Sequence, residues 1–307
     1  MEYIDEIKIN FSPDQLTLLN ICLGFLMFGV ALDIKVADFK RLIEQPKPPI
    51  VGLISQLIWL PLLTMGLVFV LNLPPSMSLG MILIAACPGG NVSNYAVHLA
   101  KGNSALSVLM TSISTLAAIL ITPLYFSFFS QFVPNAAALE QTIHVDPSTI
   151  ISTIFQLIVL PLSLGMLLNY YSPTITSKIQ GVVQKLSMLI FFGIVIAVVF
   201  GNLENISKYL KDVIFIVILQ NVLAILIGYQ WAKLMGLPQR DRRAVAIETG
   251  IQNSGLALIL IFNFFDGLGG MAIVAACWGM WHLIAGFSLA IFWGRKGIDK
   301  EELRMEN

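Results

Sequence analysis

The 307-residue chain is 57% hydrophobic and only 12% charged, with a mean hydropathy of +0.82. Soluble domains carry about 25% charged residues, so the composition excludes an ordinary soluble protein and points to an integral membrane protein. Its 18 basic and 18 acidic residues cancel, which leaves no electrostatic footprint for nucleic acid.

The N-terminus, MEYIDEIKINFSPDQ, is acidic where a secretory signal is basic, so the first apolar run is expected to be a retained helix. Nine stretches reach the ~20 mostly apolar residues of a membrane helix. They cover about 15–32, 49–71, 77–99, 104–130, 148–170, 181–201, 212–235, 244–265 and 269–293. Short punctuated gaps such as NLPPS, AKGN and GLPQRDRR separate them, with no soluble domain between. The expected fold is thus an all-α polytopic membrane protein of nine transmembrane helices. With the N-terminus outside, fifteen basic residues fall on the cytoplasmic side, among them Lys35, Lys40, Arg41, Lys101, Arg240, Arg242, Arg243, Lys300 and Arg304. Lys8, Lys208 and Lys211 stay outside. The positive-inside rule therefore puts the C-terminus in the cytoplasm of a multi-pass cell-membrane protein.

The third span is interrupted by CPGGNVSN, from Cys87 to Asn94, and the eighth by ETGIQNSG, from Glu248 to Gly255. Unwound backbone at membrane depth leaves N–H and C=O groups unpartnered unless protein or a wet cavity surrounds them. Two glycine-interrupted spans in corresponding positions are the sequence pointer to a transporter's binding site. Glycine-assisted helix crossing is the plainer alternative for either stretch alone. Sliding the chain by 164 residues aligns Phe28-Gly29 with Phe192-Gly193, Gln56 with Gln220, and Leu73-Pro74 with Leu237-Pro238. It also superposes the two breaks. Spans one to four then match spans six to nine as inverted repeats, and span five is left alone, as if a front helix were missing. A second self-match, QLIWLPL at 56–62 and QLIVLPL at 156–162, ends after seven residues and reads as two proline-kinked helices.

Cys22, Cys87 and Cys277 lie in apolar runs and read as small packed hydrophobes. His98, His144 and His282 do not cluster, and no nucleophile or metal motif is visible. Glu248 is the one charge well inside a span; Asp266 closes the eighth span and is expected to reach water. A carboxylate in the bilayer interior costs at least a few kcal/mol, so Glu248 needs a cation or a proton. Gln56, Ser93, Asn94, Ser107, Thr111 and Gln252 supply neutral oxygens, and Ser107 and Thr111 share one helix face, which Ser114 and Thr115 continue. One carboxylate among neutral oxygens suits a singly charged hard ion better than Ca²⁺.

CPGGNVSNY, ALSVLMTSIST and IETGIQNSGLA resemble the signature segments of the bile acid:sodium symporter family, and the resemblance runs from about Gly24 to Trp293. It resembles the bacterial homologues of the intestinal and liver bile acid carriers, which implies a bacterial inner membrane. The family implies ten helices, or nine where the first is absent. It implies a core domain with two crossed broken helices (here about 77–130 and 212–293) and a panel (about 15–71 and 148–201). The second span is left between the two. It further implies two sodium ions. The first would sit among Ser93, Asn94, Ser107, Thr111 and Glu248; the second among Gln56, Glu248 and Gln252 with the carbonyls near Thr249 and Ile251. Asn91, Asn253 and His282 are the candidate substrate contacts. Some bacterial relatives carry threonine at the position of Asn91, and a second polar residue is frequent in relatives where Leu283 follows His282 here.

The expected function is sodium-coupled symport of an organic anion, a bile acid or smaller carboxylate, by alternating access. Membrane lipid is the only other partner expected, and no protein partner is evident. The alternatives are a sodium/proton antiporter using Glu248, against which stands the lack of an aspartate at the crossing, and an intramembrane enzyme pairing Glu248 with His282.

Overall fold

The computed structural model describes residues 2–5, 8, 13–32, 34, 44–134, 136, 155–201 and 203–297. His144, Lys35, Lys40, Arg41, Lys300, Arg304 and the start of the fifth expected span, 148–154, lie outside them. Among the described residues eleven helices carry the fold: α1 Pro13–Ala31, α2 Lys47–Leu71, α3 Pro75–Ala86, α4 Val92–Leu99, α5 Ser104–Ser130 and α6 Phe155–Tyr171. They continue with α7 Pro173–Gly201, α8 Leu203–Leu234, α9 Gln239–Gly250, α10 Ser254–Phe264 and α11 Gly269–Lys296. By length and composition alone, α2, α5, the stretch Tyr209–Leu234 of α8, and α11 can each cross a membrane. α3, α6 and α10 are shorter apolar helices, as is Leu16–Ala31 within α1.

The third and eighth spans of the sequence are indeed split. α3 stops at Cys87-Pro88, because a proline removes an N–H and disfavours helical backbone in the residue before it. The chain restarts as α4 at Asn91. α9 stops at Gly250, and α10 begins after Asn253, whose side chain accepts the Leu256 N–H at 3.0 Å as an N-cap.

α2 and α6 each open a π turn, at Ser55–Trp59 and Phe155–Val159, one residue before Leu60-Pro61 and Leu160-Pro161. Proline has no N–H to return to the carbonyl four residues back, and a π turn re-registers the ladder around that gap. The short self-match of the sequence is therefore a repeated π turn, where a simple proline kink was expected.

α3 and α10 are buried on nearly every side, as helices apolar all round should be, and both pack on α11. α1 packs on α6 and α7, and touches α10. α2, which the sequence left between panel and core, packs on α3, α5, α8 and α9.

The two ends of the fold are pinned by polar and charged contacts. Ile4 is fully buried, and Asp5 Oδ1 accepts the Ser76 N–H at 2.8 Å in the first turn of α3. Lys8 pairs with Asp266, and both are exposed, as expected for Asp266. At the other end Arg243 is 1% exposed. Its guanidinium donates to the carbonyls of Ala100 (2.7 Å), Trp293 (3.1 Å) and Gly297, and so ties the C-termini of α4 and α11 together. The sequence alone places Arg243 simply among the basic residues of the cytoplasmic side.

Candidate functional site

The two breaks meet. The Gly90 N–H donates to the Ile251 carbonyl at 3.0 Å, and the Asn253 N–H to the Pro88 carbonyl at 2.8 Å. Gly89 and Gln252 thus face each other as one antiparallel bridge. The backbone groups freed by the two interruptions satisfy each other, which is what an unwound segment away from water requires.

Glu248, in the last turn of α9, is fully buried beside this bridge. Its Oε1 accepts from Ser93 Oγ at 2.5 Å, from Ser107 Oγ, and from Thr111 Oγ1 at 3.0 Å. Thr111 Oγ1 is also 3.0 Å from Oε2. Asn94 Oδ1 draws on the same hydroxyls, Ser107 at 2.8 Å and Thr111 at 3.3 Å. Three hydroxyl protons therefore face six close oxygen–oxygen contacts. A hydroxyl carries one proton, so at most three of the six contacts can be hydrogen bonds at once, and the others bring two oxygens together with no proton between them. The four polar residues come from α4 and α5 and the acid from α9, so the cluster exists only where the crossing is assembled.

A second polar group lies on the other side of Glu248. Gln56, in the π turn of α2, is fully buried; its Nε2 donates to Gln252 Oε1 at 3.3 Å, and its Oε1 has no hydrogen-bond partner among the described residues. The Gln252 amide donates to the carbonyls of Glu248 (3.3 Å) and Thr249 (3.0 Å). The Ile251 carbonyl is the one that receives the Gly90 N–H. Glycine at 89 is a steric need: a Cβ there would lie 2.8 Å from Glu248 Oε2 and 3.0 Å from Gln56 Nε2. Sodium fits this donor set, which offers one carboxylate, amide and hydroxyl oxygens, helix-end carbonyls and an orphaned buried oxygen on Gln56.

The candidate substrate contacts are more scattered. Asn91 is half-buried at the start of α4 and, unlike Asn253, makes no side-chain cap there. Asn253 is spent in part on capping α10. His282 is buried in α11 against Trp278, ring centroids 6.5 Å apart, and its Nδ1 has no hydrogen-bond partner among the described residues.

Three further polar residues border the site: Ser114, which the sequence places on the polar face of Ser107 and Thr111, and Ser55 and Asn221, which it does not single out. Ser114 Oγ accepts the Gly89 N–H at 3.2 Å, Ser55 Oγ lies 2.8 Å from Thr249 Oγ1, and Asn221 Nδ2 donates to the Gly250 carbonyl at 2.7 Å. Ser55 and Asn221 were legible only as neighbours of Gln56 and Gln220, the amides matched at the 164-residue offset.

A profile of the Sodium Bile acid symporter family matches residues 20–209. The "Uncharacterized sodium-dependent transporter YocS" of Bacillus subtilis is 36% identical over 278 residues, 91% of this chain and 83% of its own. The "Probable sodium/metabolite cotransporter BASS2, chloroplastic" of rice is 31% identical over 303 residues, 96% of this chain and 70% of its own. With the match spanning more than half the chain and two long alignments behind it, the chain belongs to the sodium bile acid symporter family, a family of sodium-coupled membrane transporters and not of enzymes.

Proposed function

We propose that the protein couples the inward movement of two sodium ions to the uptake of an organic anion by alternating access. The observation that carries this reading is the proton-poor oxygen cluster around Glu248 at the crossing of the two breaks. One sodium ion would lie among Ser93, Asn94, Ser107, Thr111 and Glu248. The second would lie among Gln56, Glu248, Gln252 and the carbonyls near Thr249 and Ile251. Two sodium ions on one carboxylate leave a local charge near +1. The positive N-terminal end of α4, where Asn91 stands uncommitted, would then favour an anion beside them. Asn253 and His282 are the remaining candidates for that contact.

In this reading the chain crosses the membrane nine times, N-terminus outside. α1, α6 and α7 form a panel, and the other helices, α2 included, form the core that carries the site. The close packing within each group supports the division. The relatives' names, a sodium-dependent transporter and a sodium/metabolite cotransporter, favour solute symport over sodium/proton exchange.

The test is uptake by the purified protein in liposomes, across a panel of monocarboxylates and bile acids, under an imposed sodium gradient. A monoanion moving with two sodium ions carries one net charge, worth about 2.3 kcal/mol per 100 mV, so an inside-negative potential should accelerate it. Uptake indifferent to both gradient and potential contradicts the reading. A sodium-driven pH change without any organic anion would establish exchange in its place.

A further inference from the structure

The helical ladder of α9 ends with Ile247 O accepting the Ile251 N–H at 2.9 Å, and the carbonyls beyond it are held by groups outside the ladder. Ile251 O takes the Gly90 N–H at 3.0 Å. Glu248 O and Thr249 O share the Gln252 amide. Gly250 O takes Asn221 Nδ2 at 2.7 Å, the shortest of these contacts. Asn221 is fully buried on α8, and its Oδ1 has no hydrogen-bond partner among the described residues. α8 comes very close here: a Cβ on Gly228 would meet both Ala246 Cα and Thr249 Oγ1 at 3.0 Å.

The internal repeat makes the contact informative. Gly250 corresponds to Ala86 at the 164-residue offset, and the Ala86 carbonyl is held by a hydroxyl, Thr122 Oγ1, at 2.7 Å from α5. The position matching Asn221 is Leu57, which can hold nothing. The two half-helix ends are thus fixed by unrelated groups. The amide stands at the end whose carbonyls flank Glu248, and the end without a carboxylate has only a hydroxyl.

We propose that Asn221 is a positioning residue of the ion site: by fixing the Gly250 carbonyl it sets the direction of the neighbouring Thr249 and Ile251 carbonyls toward a bound sodium ion. This rests on the ion-site reading above. Gln252 can rotate its amide and offer oxygen to the ion, but Asn221 has its donor committed to the peptide that joins the ligand carbonyls. A partner one bond removed from a metal site typically changes its affinity 10- to 100-fold when lost.

The measurement is sodium titration of thermal stability, in detergent at constant ionic strength, for wild type, Asn221→Ala, Asn221→Ser, Gln220→Ala and Glu248→Gln. Gln220 is the matched control. It is equally buried, adjacent on α8, and holds Thr64 Oγ1 (2.8 Å) and Met81 O (3.3 Å), away from the crossing. Asn221→Ala should raise the half-saturating sodium concentration about tenfold or more. Asn221→Ser, which keeps a shorter donor, should fall between it and wild type. Gln220→Ala should lower the melting temperature with half-saturation unchanged. If Asn221→Ala keeps the wild-type half-saturation, or Gln220→Ala shifts it equally, Asn221 only packs and the proposal is overturned. If Glu248→Gln still responds to sodium as wild type does, the ion-site reading itself falls, a separate result.

Discussion

Glu248 could be picked out from the sequence because a buried charge stands alone against 57% hydrophobic residues, and hydroxyls at the spacing of Ser107 and Thr111 mark a helix face. What could not be read was which other polar residues turn toward it. Ser55 is an ordinary serine until the fold sets its hydroxyl against that of Thr249 on α9, and Arg243 is one more basic residue until two helix ends close over it. Two substitutions probe the site at this scale. Gly89→Ala places a methyl 2.8 Å from Glu248 Oε2. Overpacking costs about 1–3 kcal/mol, and 1.4 kcal/mol is tenfold, so sodium half-saturation in a stability titration should rise by about tenfold. Asn91→Thr should change the preference among transported anions and leave half-saturation by sodium close to wild type, because Asn91 meets the Glu248 cluster only through its backbone carbonyl, which accepts the Asn94 N–H and survives the substitution. Competition uptake with a panel of anions, repeated at several sodium concentrations, separates these two effects.

The broken helices are the part of the secondary structure that local sequence dictates most firmly. Pro88 with two glycines ends α3, and Gly250 ends α9, close to where the composition said they would. Helix ends were less legible: the helical stretches of α7 and α8 begin eight and nine residues before the apolar runs do. The π turns were not foreseen at all. The proline signals a fault in the ladder but not whether the chain kinks or re-registers. The Arg243 clamp tests how the elements are held together. Arg243→Met removes charged donors from the carbonyls of Ala100, Trp293 and Gly297. A hydrogen bond to a charged group contributes roughly 1.5–3 kcal/mol, so the variant should lose at least about 2 kcal/mol of stability. Thermal unfolding should show that loss, with the sodium half-saturation unmoved, since the guanidinium holds the ends of α4 and α11 and makes no contact with the Glu248 cluster.

At the scale of the whole molecule, α3, α10 and α11 form a buried centre, and the site lies where unwound backbone crosses between its halves. This was legible because one offset aligned gaps, turns and breaks together. The packing of α2 was not, since a span's neighbours depend on which face meets which helix. The account as a whole requires that the carboxylate be the point where cations enter the fold. The most direct measurement is sodium titration of thermal stability alongside sodium-driven uptake, comparing wild type with Glu248→Gln and Glu248→Asp. The amide keeps the volume and is cheaper to bury than a charge, so Glu248→Gln should fold. It should show no sodium-induced stabilisation and no sodium-dependent uptake, while the shorter Glu248→Asp should weaken both. Full sodium-driven uptake by Glu248→Gln would contradict the account.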